Sequence, residues 1–190
     1  MRRMKLYIKI ILIGLLFILI LKEVIPRINI MRMGYSSKRV YEFLTSERNR
    51  RKTYLDAANL NGGTSQNACV FFVSEVLRNN NYEVPKSMGN TGEFISFLKE
   101  KGWKKRKNYK RLKPGNVCFT TDESGNNKDI PTHTYIFMGW VEEGKYDYAY
   151  ICDNQAKDYK NKIYHIRNIN CIDRIKGNTK EAFSFFMTID

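Results

Sequence analysis

Histidine is nearly absent from this chain, with two in 190 residues. Any imidazole chemistry therefore falls to His133 or His165. The four cysteines, Cys69, Cys118, Cys152 and Cys171, stand far apart. They form no C-x-x-C pair and have no neighbouring histidine pair, so a zinc signature is missing. No glycine-rich loop of the phosphate-cradling kind occurs, and no carboxylate pair stands out as a glycosidase dyad. Nucleic-acid-binding motifs, internal repeats and low-complexity tracts are lacking too. On this basis no cofactor, no metal and no nucleic-acid partner is expected. Acidic residues are outnumbered, 19 against 33 Lys and Arg, for a formal net charge of +14.

What is present is a cysteine in an informative place. The segment Asn67-Ala68-Cys69-Val70-Phe71-Phe72-Val73-Ser74-Glu75-Val76-Leu77-Arg78 has apolar residues at 69, 70, 72, 73, 76 and 77, the period of a helix packed on one face. Thr64, Ser65 and Asn67 offer side-chain oxygens to cap its start. A thiol there sits at the positive end of the helix dipole, beside backbone N–H groups without helical partners. Both favour thiolate, and the same N–H groups suit an oxyanion. The alternative is a core thiol, since free cysteine is among the most buried residue types.

Partners follow along the chain. Pro131-Thr132-His133-Thr134-Tyr135-Ile136-Phe137-Met138-Gly139-Trp140 reads as a strand, with His133 at its start. A pKa near neutrality suits His133 as base for a thiol. A second strand, Tyr146-Asp147-Tyr148-Ala149-Tyr150-Ile151-Cys152, ends at Asp153-Asn154-Gln155. Antiparallel pairing through the Glu142-Glu143-Gly144-Lys145 turn brings that polar cluster beside His133, where one member can hold the imidazole. Asn154 is the favoured orienter and Asp153 the other candidate, because the two point to opposite faces of a continuing strand. The same types also occur at ordinary hairpin ends. Lys113-Pro114-Gly115-Asn116 fits a turn with Gly where positive φ is needed, with a strand over 117–121 after it. His165 reads as an ordinary strand or surface histidine.

The chain here resembles the NlpC-type and CHAP group, papain-like cysteine hydrolases of bacterial cell walls. Cys69 to Arg78 is similar to the family's nucleophile helix, and Thr91 to Trp103 resembles its second helix and the Gly-Trp that follows. Leu112-Lys113-Pro114-Gly115-Asn116-Val117-Cys118-Phe119 resembles the L-x-P-G-D-V-x-F entry to the sheet, and His133 to Gly139 resembles H-x-x-I-x-x-G. The likeness spans about residues 60–156 in the family's order. Asn116 departs from the usual Asp, the tract from Thr120 to Pro131 is longer than expected, and Cys152 stands where some members carry an acid. The resemblance implies an α+β domain whose nucleophile helix packs on an antiparallel β-sheet. It implies Cys69 as nucleophile, His133 as base, Asn154 or Asp153 as orienter, and Gln66 as a second oxyanion donor beside the Cys69 N–H. Gln66 reads equally as a helix-entry residue.

The start of the chain has a separate character. Met1-Arg2-Arg3-Met4-Lys5 is basic, and Ile10 to Leu21 is apolar apart from Gly14. Extended to Leu6 and Ile25, the run approaches bilayer-spanning length. Lys22, Glu23 and Val24 offer no small-residue cleavage site and no cysteine follows closely. Residues 1–26 therefore read as an uncleaved signal anchor, a single transmembrane helix, with a cleaved signal as the alternative. Residues 27–60 read as a basic helical connector, Asn61-Gly62-Gly63 as its end, and 61–190 as the hydrolase domain. Of the charges, 13 basic and 4 acidic residues fall in 1–60. A second basic stretch, residues 99–113 around Trp103 and Tyr109, is either a solvated face or a patch for an anionic polymer such as wall teichoic acid or lipid headgroups. The expected partners are peptidoglycan and, through the N-terminal helix, the cell membrane, with the domain extracytoplasmic. A non-catalytic wall-binding or assembly component of a secretion or conjugation apparatus is the competing expectation.

Overall fold

A computed structural model describes residues 35–127 and 130–189, together with Gly14. Among the described residues no helix is long and apolar enough to cross a membrane. The anchor expected at 1–26 lies outside them, Gly14 apart. Residues 1–34 and 35–190 form separate units.

Among the described residues four α-helices precede all of the strands. α1 (Tyr35–Thr45) and α2 (Glu47–Leu60) are separated by Ser46, whose hydroxyl caps α2 by accepting from the Asn49 N–H. Both were expected within a connector ending at residue 60. Instead Val40, Leu44 and Ala57 join the main core, so these helices belong to the folded domain. The stripe that made 35–60 look like a linker is short and flanked by charge, and only tertiary packing reveals that it is covered. α3 (Cys69–Arg78) follows the predicted helix, with Phe72, Val73, Val76 and Leu77 fully buried. α4 (Thr91–Glu100) starts at Asn90, whose side-chain oxygen accepts from the Gly92 and Glu93 N–H groups.

The strands β1 (Lys104–Arg106), β2 (Val117–Thr120), β3 (Thr134–Trp140), β4 (Tyr148–Cys152), β5 (Tyr164–Asn168) and β8 (Phe183–Thr188) form one antiparallel sheet in the order β1-β8-β2-β3-β4-β5. β6 (Asp173–Ile175) and β7 (Asn178–Lys180) make a separate hairpin. Period-two alternation gives the sheet two buried faces. Val117, Phe119, Ile136, Met138, Cys152, Phe185 and Met187 pack with α3 and α4. Cys118, Tyr135, Phe137, Ile151 and Phe186 build a second cluster on the other face. β3 and β4 pair as expected, with Ile136 opposite Cys152, so the end of β4 lies beside the start of β3.

The turn at 113–116 closes with an Asn116 N–H to Lys113 carbonyl bond of 3.0 Å, and Gly115 sits at φ +89°. Asn116, where the resembled family has Asp, accepts from the Lys113 N–H through Oδ1 at 2.8 Å, a role open to either side chain. A Cβ on Gly115 would lie 1.9 Å from the Ser37 carbonyl oxygen. Gly115→Ala should therefore destabilise the domain by about 3 kcal/mol or more in urea unfolding, through the clash and the left-handed backbone together.

The basic stretch 99–113 is mixed in character. Lys104, Lys105 and Arg106 are exposed on an edge strand, while Trp103 is a core residue packed edge-to-face on Tyr82 at 5.6 Å. Lys105 lies over the Phe185 ring, its Nζ 3.8 Å from the centroid.

Candidate active site

Cys69 is the first residue of α3 and is 8% exposed. None of the three expected caps serves the helix. The N-cap is Ala68, without a side-chain cap bond. Thr64 Oγ1 instead accepts from the Gln66 N–H, the Ser65 carbonyl accepts from Asn154, and Asn67 takes a left-handed φ of +56° that asparagine tolerates. The missing cap leaves first-turn N–H groups near the sulfur, which a side-chain cap would have consumed. The backbone N–H groups of Thr134 and Val70 both favour the ionised form of the Cys69 thiol.

His133 lies one residue before β3, and its main chain is fixed at both ends. Its N–H donates to Thr120 Oγ1 at 3.1 Å, and its carbonyl accepts from the Thr120 N–H at 3.1 Å. One ring face stacks on Tyr135. The Nε2–H donates to Asp153 Oδ2 at 2.9 Å, which leaves Nδ1 free to interact with Cys69, a group that raises the imidazole pKa. The residue that meets the His133 ring is therefore Asp153 rather than the favoured Asn154. β4 ends at Cys152, and the buried Asp153 continues on the face that carries Ile151, toward His133. Asn154 turns the other way and donates to the Ser65 carbonyl at 2.8 Å, tying the loop before α3 to the end of β4.

The charges of the three groups reinforce one another. Burial works against each ionised form, and in each case the partners prevail. Burial raises the Cys69 thiol, but the hydrogen bond and charge of His133 bring it below its ordinary value. Burial lowers His133, but the bonds to Asp153 and Cys69 lift it to about 9. Asp153 is held far below the carboxylate range, against burial, by the charge that His165 takes on at acid pH and by the bond and charge of His133. The set thus joins a thiol of lowered pKa to an imidazole of raised pKa beside a carboxylate, the direction that favours a thiolate–imidazolium pair. The other buried thiols behave oppositely, with burial pushing Cys118 and Cys152 upward. All four cysteines are free.

Two depressions flank the site. One, of about 670 Å³, is lined by Gln66, Asn67, Glu123, Asn154, Gln155 and Lys180 among others. A second, of about 910 Å³, includes Pro131 and Thr132 beside His133 and shares Glu123 with the first. Neither depression is lined by Cys69 or His133 themselves; they open at their chain neighbours, Asn67 in the first and Thr132 in the second. Gln66 is exposed on the rim of the first, and among the described residues no hydrogen bond ties its side chain to the site. Three His, Cys, Asp or Glu side chains converge nowhere among the described residues as a metal-ligand set.

One wall of the first depression is the β6–β7 hairpin. Lys180, 2% exposed, donates to Asp158 Oδ2 at 2.6 Å, and Asn178 donates to Asp158 Oδ1 at 3.1 Å. Asp158→Ala strands a buried ammonium and should cost about 3 kcal/mol in urea unfolding, whereas Lys180→Met removes the charge, keeps the volume and should cost less.

The sequence reading missed His165. It is 4% exposed on β5, opposite Ile151, with Nε2 3.9 Å from Asp153 Oδ1. The alternation in Tyr164-His165-Ile166-Arg167 was a usable signal for a strand with His165 facing inward.

No protein-family model matches this chain, and neither does a curated protein or a solved structure.

Proposed function

We propose that this chain is a papain-like cysteine hydrolase that cuts an amide bond of bacterial peptidoglycan, held at the cell membrane by residues 1–26 with its catalytic domain outside the cytoplasm. The observation that carries the catalytic part is the buried Cys69–His133–Asp153 set, with its thiol lowered and its imidazole raised. The wall substrate and the outward location rest on the four segments that resemble NlpC-type and CHAP hydrolases and on the basic, apolar N-terminus.

In this mechanism the Cys69 thiolate attacks the amide carbonyl and forms a C–S bond, while the carbonyl oxygen takes the negative charge. First-turn N–H groups of α3 stabilise that oxyanion, and Gln66 can add a second donor from the cavity rim. The intermediate collapses with cleavage of the C–N bond. The leaving amine takes the proton from His133 Nδ1. Neutral His133 then removes a proton from water as the oxygen attacks the thioester. Breaking the C–S bond releases the acid and restores the thiolate beside an imidazolium. Asp153 stays ionised throughout and keeps the Nε2–H in place. Exposed Lys104 to Arg106 supply a face for the anionic polymers of the wall.

The test is to incubate the full chain in detergent with purified peptidoglycan beside its Cys69→Ala variant. Released fragments are then identified by mass spectrometry. Fragments made by the parent alone support the reading and name the bond. Equal release by both, or none from several wall types, overturns it.

A further inference from the structure

Asp153 lies between two imidazoles. Its Oδ2 accepts from His133, and its Oδ1 accepts from the Gln155 N–H at 2.8 Å and faces His165 Nε2 at 3.9 Å. His165 is locked from three directions. Its Nδ1 donates to the Lys162 carbonyl at 3.0 Å, Tyr159 lies flat on the ring at 3.5 Å between centroids, and β4–β5 pairing sets its backbone. Nε2 is buried and has no hydrogen-bond partner. Because Nδ1 carries the proton in the neutral ring, Nε2 presents a lone pair to the carboxylate. The wider spacing of this contact, compared with the bond to His133, is what a lone pair facing a carboxylate oxygen requires.

We propose that His165 is a positioning residue of this site, acting on His133 through Asp153. The proposal rests on the cysteine-hydrolase reading above. In the neutral state His165 donates nothing to Asp153 and blocks a turn of its carboxylate toward β5, so Oδ2 is kept for His133 while Oδ1 stays on the Gln155 N–H. A proton added at Nε2 makes His165 a second donor to Asp153 and divides the carboxylate's charge between two rings. The groups that face His165 are Asp153 from the end of β4, His133 from β3, Arg167 on its own strand and Tyr159 from the turn before β5. Burial, Arg167 and His133 disfavour its proton more than Asp153 favours it, so the ring is neutral at neutral pH.

The experiment reads the alkylation rate of Cys69 in the full chain against pH, by peptide mapping, in the parent, His165→Phe and His165→Gln. Phe keeps the stack on Tyr159 and removes both nitrogens, while Gln offers an amide near the Nε2 position. In the parent, the acid limb should fall with a one-proton slope and then steepen as His165 takes a proton. In His165→Phe the midpoint should move up by about one pH unit, a roughly tenfold loss of thiolate on the acid side. His165→Gln should restore the midpoint and lack the steeper segment. A folded His165→Phe, checked by its melting transition, with the parent's midpoint and slope would overturn the proposal. If His165→Phe does not fold, a parent-like steepening in His165→Gln overturns it equally. A parent Cys69 no faster than exposed Cys171 would instead remove the cysteine-hydrolase reading itself, so the two failures are distinguishable.

Discussion

At pH 6, iodoacetamide should modify Cys69 well ahead of the other three thiols, and His133→Ala should abolish that lead. Cys118 and Cys152 are buried and pushed toward higher pKa, so they hold their protons. Cys171 is exposed. Cys69 has a lowered thiol and an imidazole partner of raised pKa. Removing His133 leaves burial as the dominant influence on the thiol. The thiolate fraction at pH 6 should then fall by about 100-fold or more, and the alkylation rate with it. Peptide mapping after a timed exposure checks this in the full chain. An unchanged rate in the folded variant would show that Cys69 is not ionised by His133.

The second large effect separates two adjacent residues. Asp153→Asn should lower amide hydrolysis by about 10³–10⁴-fold, because a neutral amide neither supports the imidazolium nor enforces the correct tautomer of His133. Asn154→Ala should cost only about fivefold, the equivalent of one ordinary hydrogen bond to the Ser65 carbonyl. Initial rates on peptidoglycan fragments decide between them, and a reversed order would restore Asn154 as the orienter. The parent's rate should also decline as pH passes about 9, where His133 loses the proton it must give to the leaving amine.

The same ionisations shape stability. His133, raised from 6.5 to about 9 on folding, contributes stability that is fully present below pH 6.5 and lost by about pH 9. Cys69, lowered on folding, has the opposite sign. Its contribution is present above the unfolded thiol's value and is lost as pH falls through the folded one. Below pH 9 the two act in opposite directions wherever Cys69 is ionised in the folded state, so the parent's unfolding free energy should vary less with pH than that of Cys69→Ala. In Cys69→Ala only the His133 part remains, still raised by Asp153, so stability should fall from pH 6.5 to about 9. Urea midpoints at pH 6.5 and 9 provide the check.

Local pattern alone determined much of this protein. The 3.6-residue apolar period marked α3 with Cys69 at its start, and the β-branched and aromatic runs marked β2, β3 and β4. The Pro-Gly pair marked the turn before β2. These are short-range signals, carried by residues that contact near neighbours in the chain. The placing of His133 beside the end of β4 followed from hairpin geometry, which is also nearly local.

Tertiary structure decided the rest. Whether Asp153 or Asn154 meets His133 depends on how the chain leaves β4, and that is set by the bond from Asn154 to the loop before α3, 89 residues away in sequence. The inclusion of α1 and α2 in the domain depends on Val40, Leu44 and Ala57 finding a shared core. The insertion of β8 between β1 and β2 and the closeness of His165 to Asp153 come from strands distant in the chain. The ionisation of Cys69 is of the same kind. Helix position favours a thiolate, but in this buried site burial opposes it, and it is the charge and hydrogen bond of His133, brought in from 64 residues along the chain, that turn the balance.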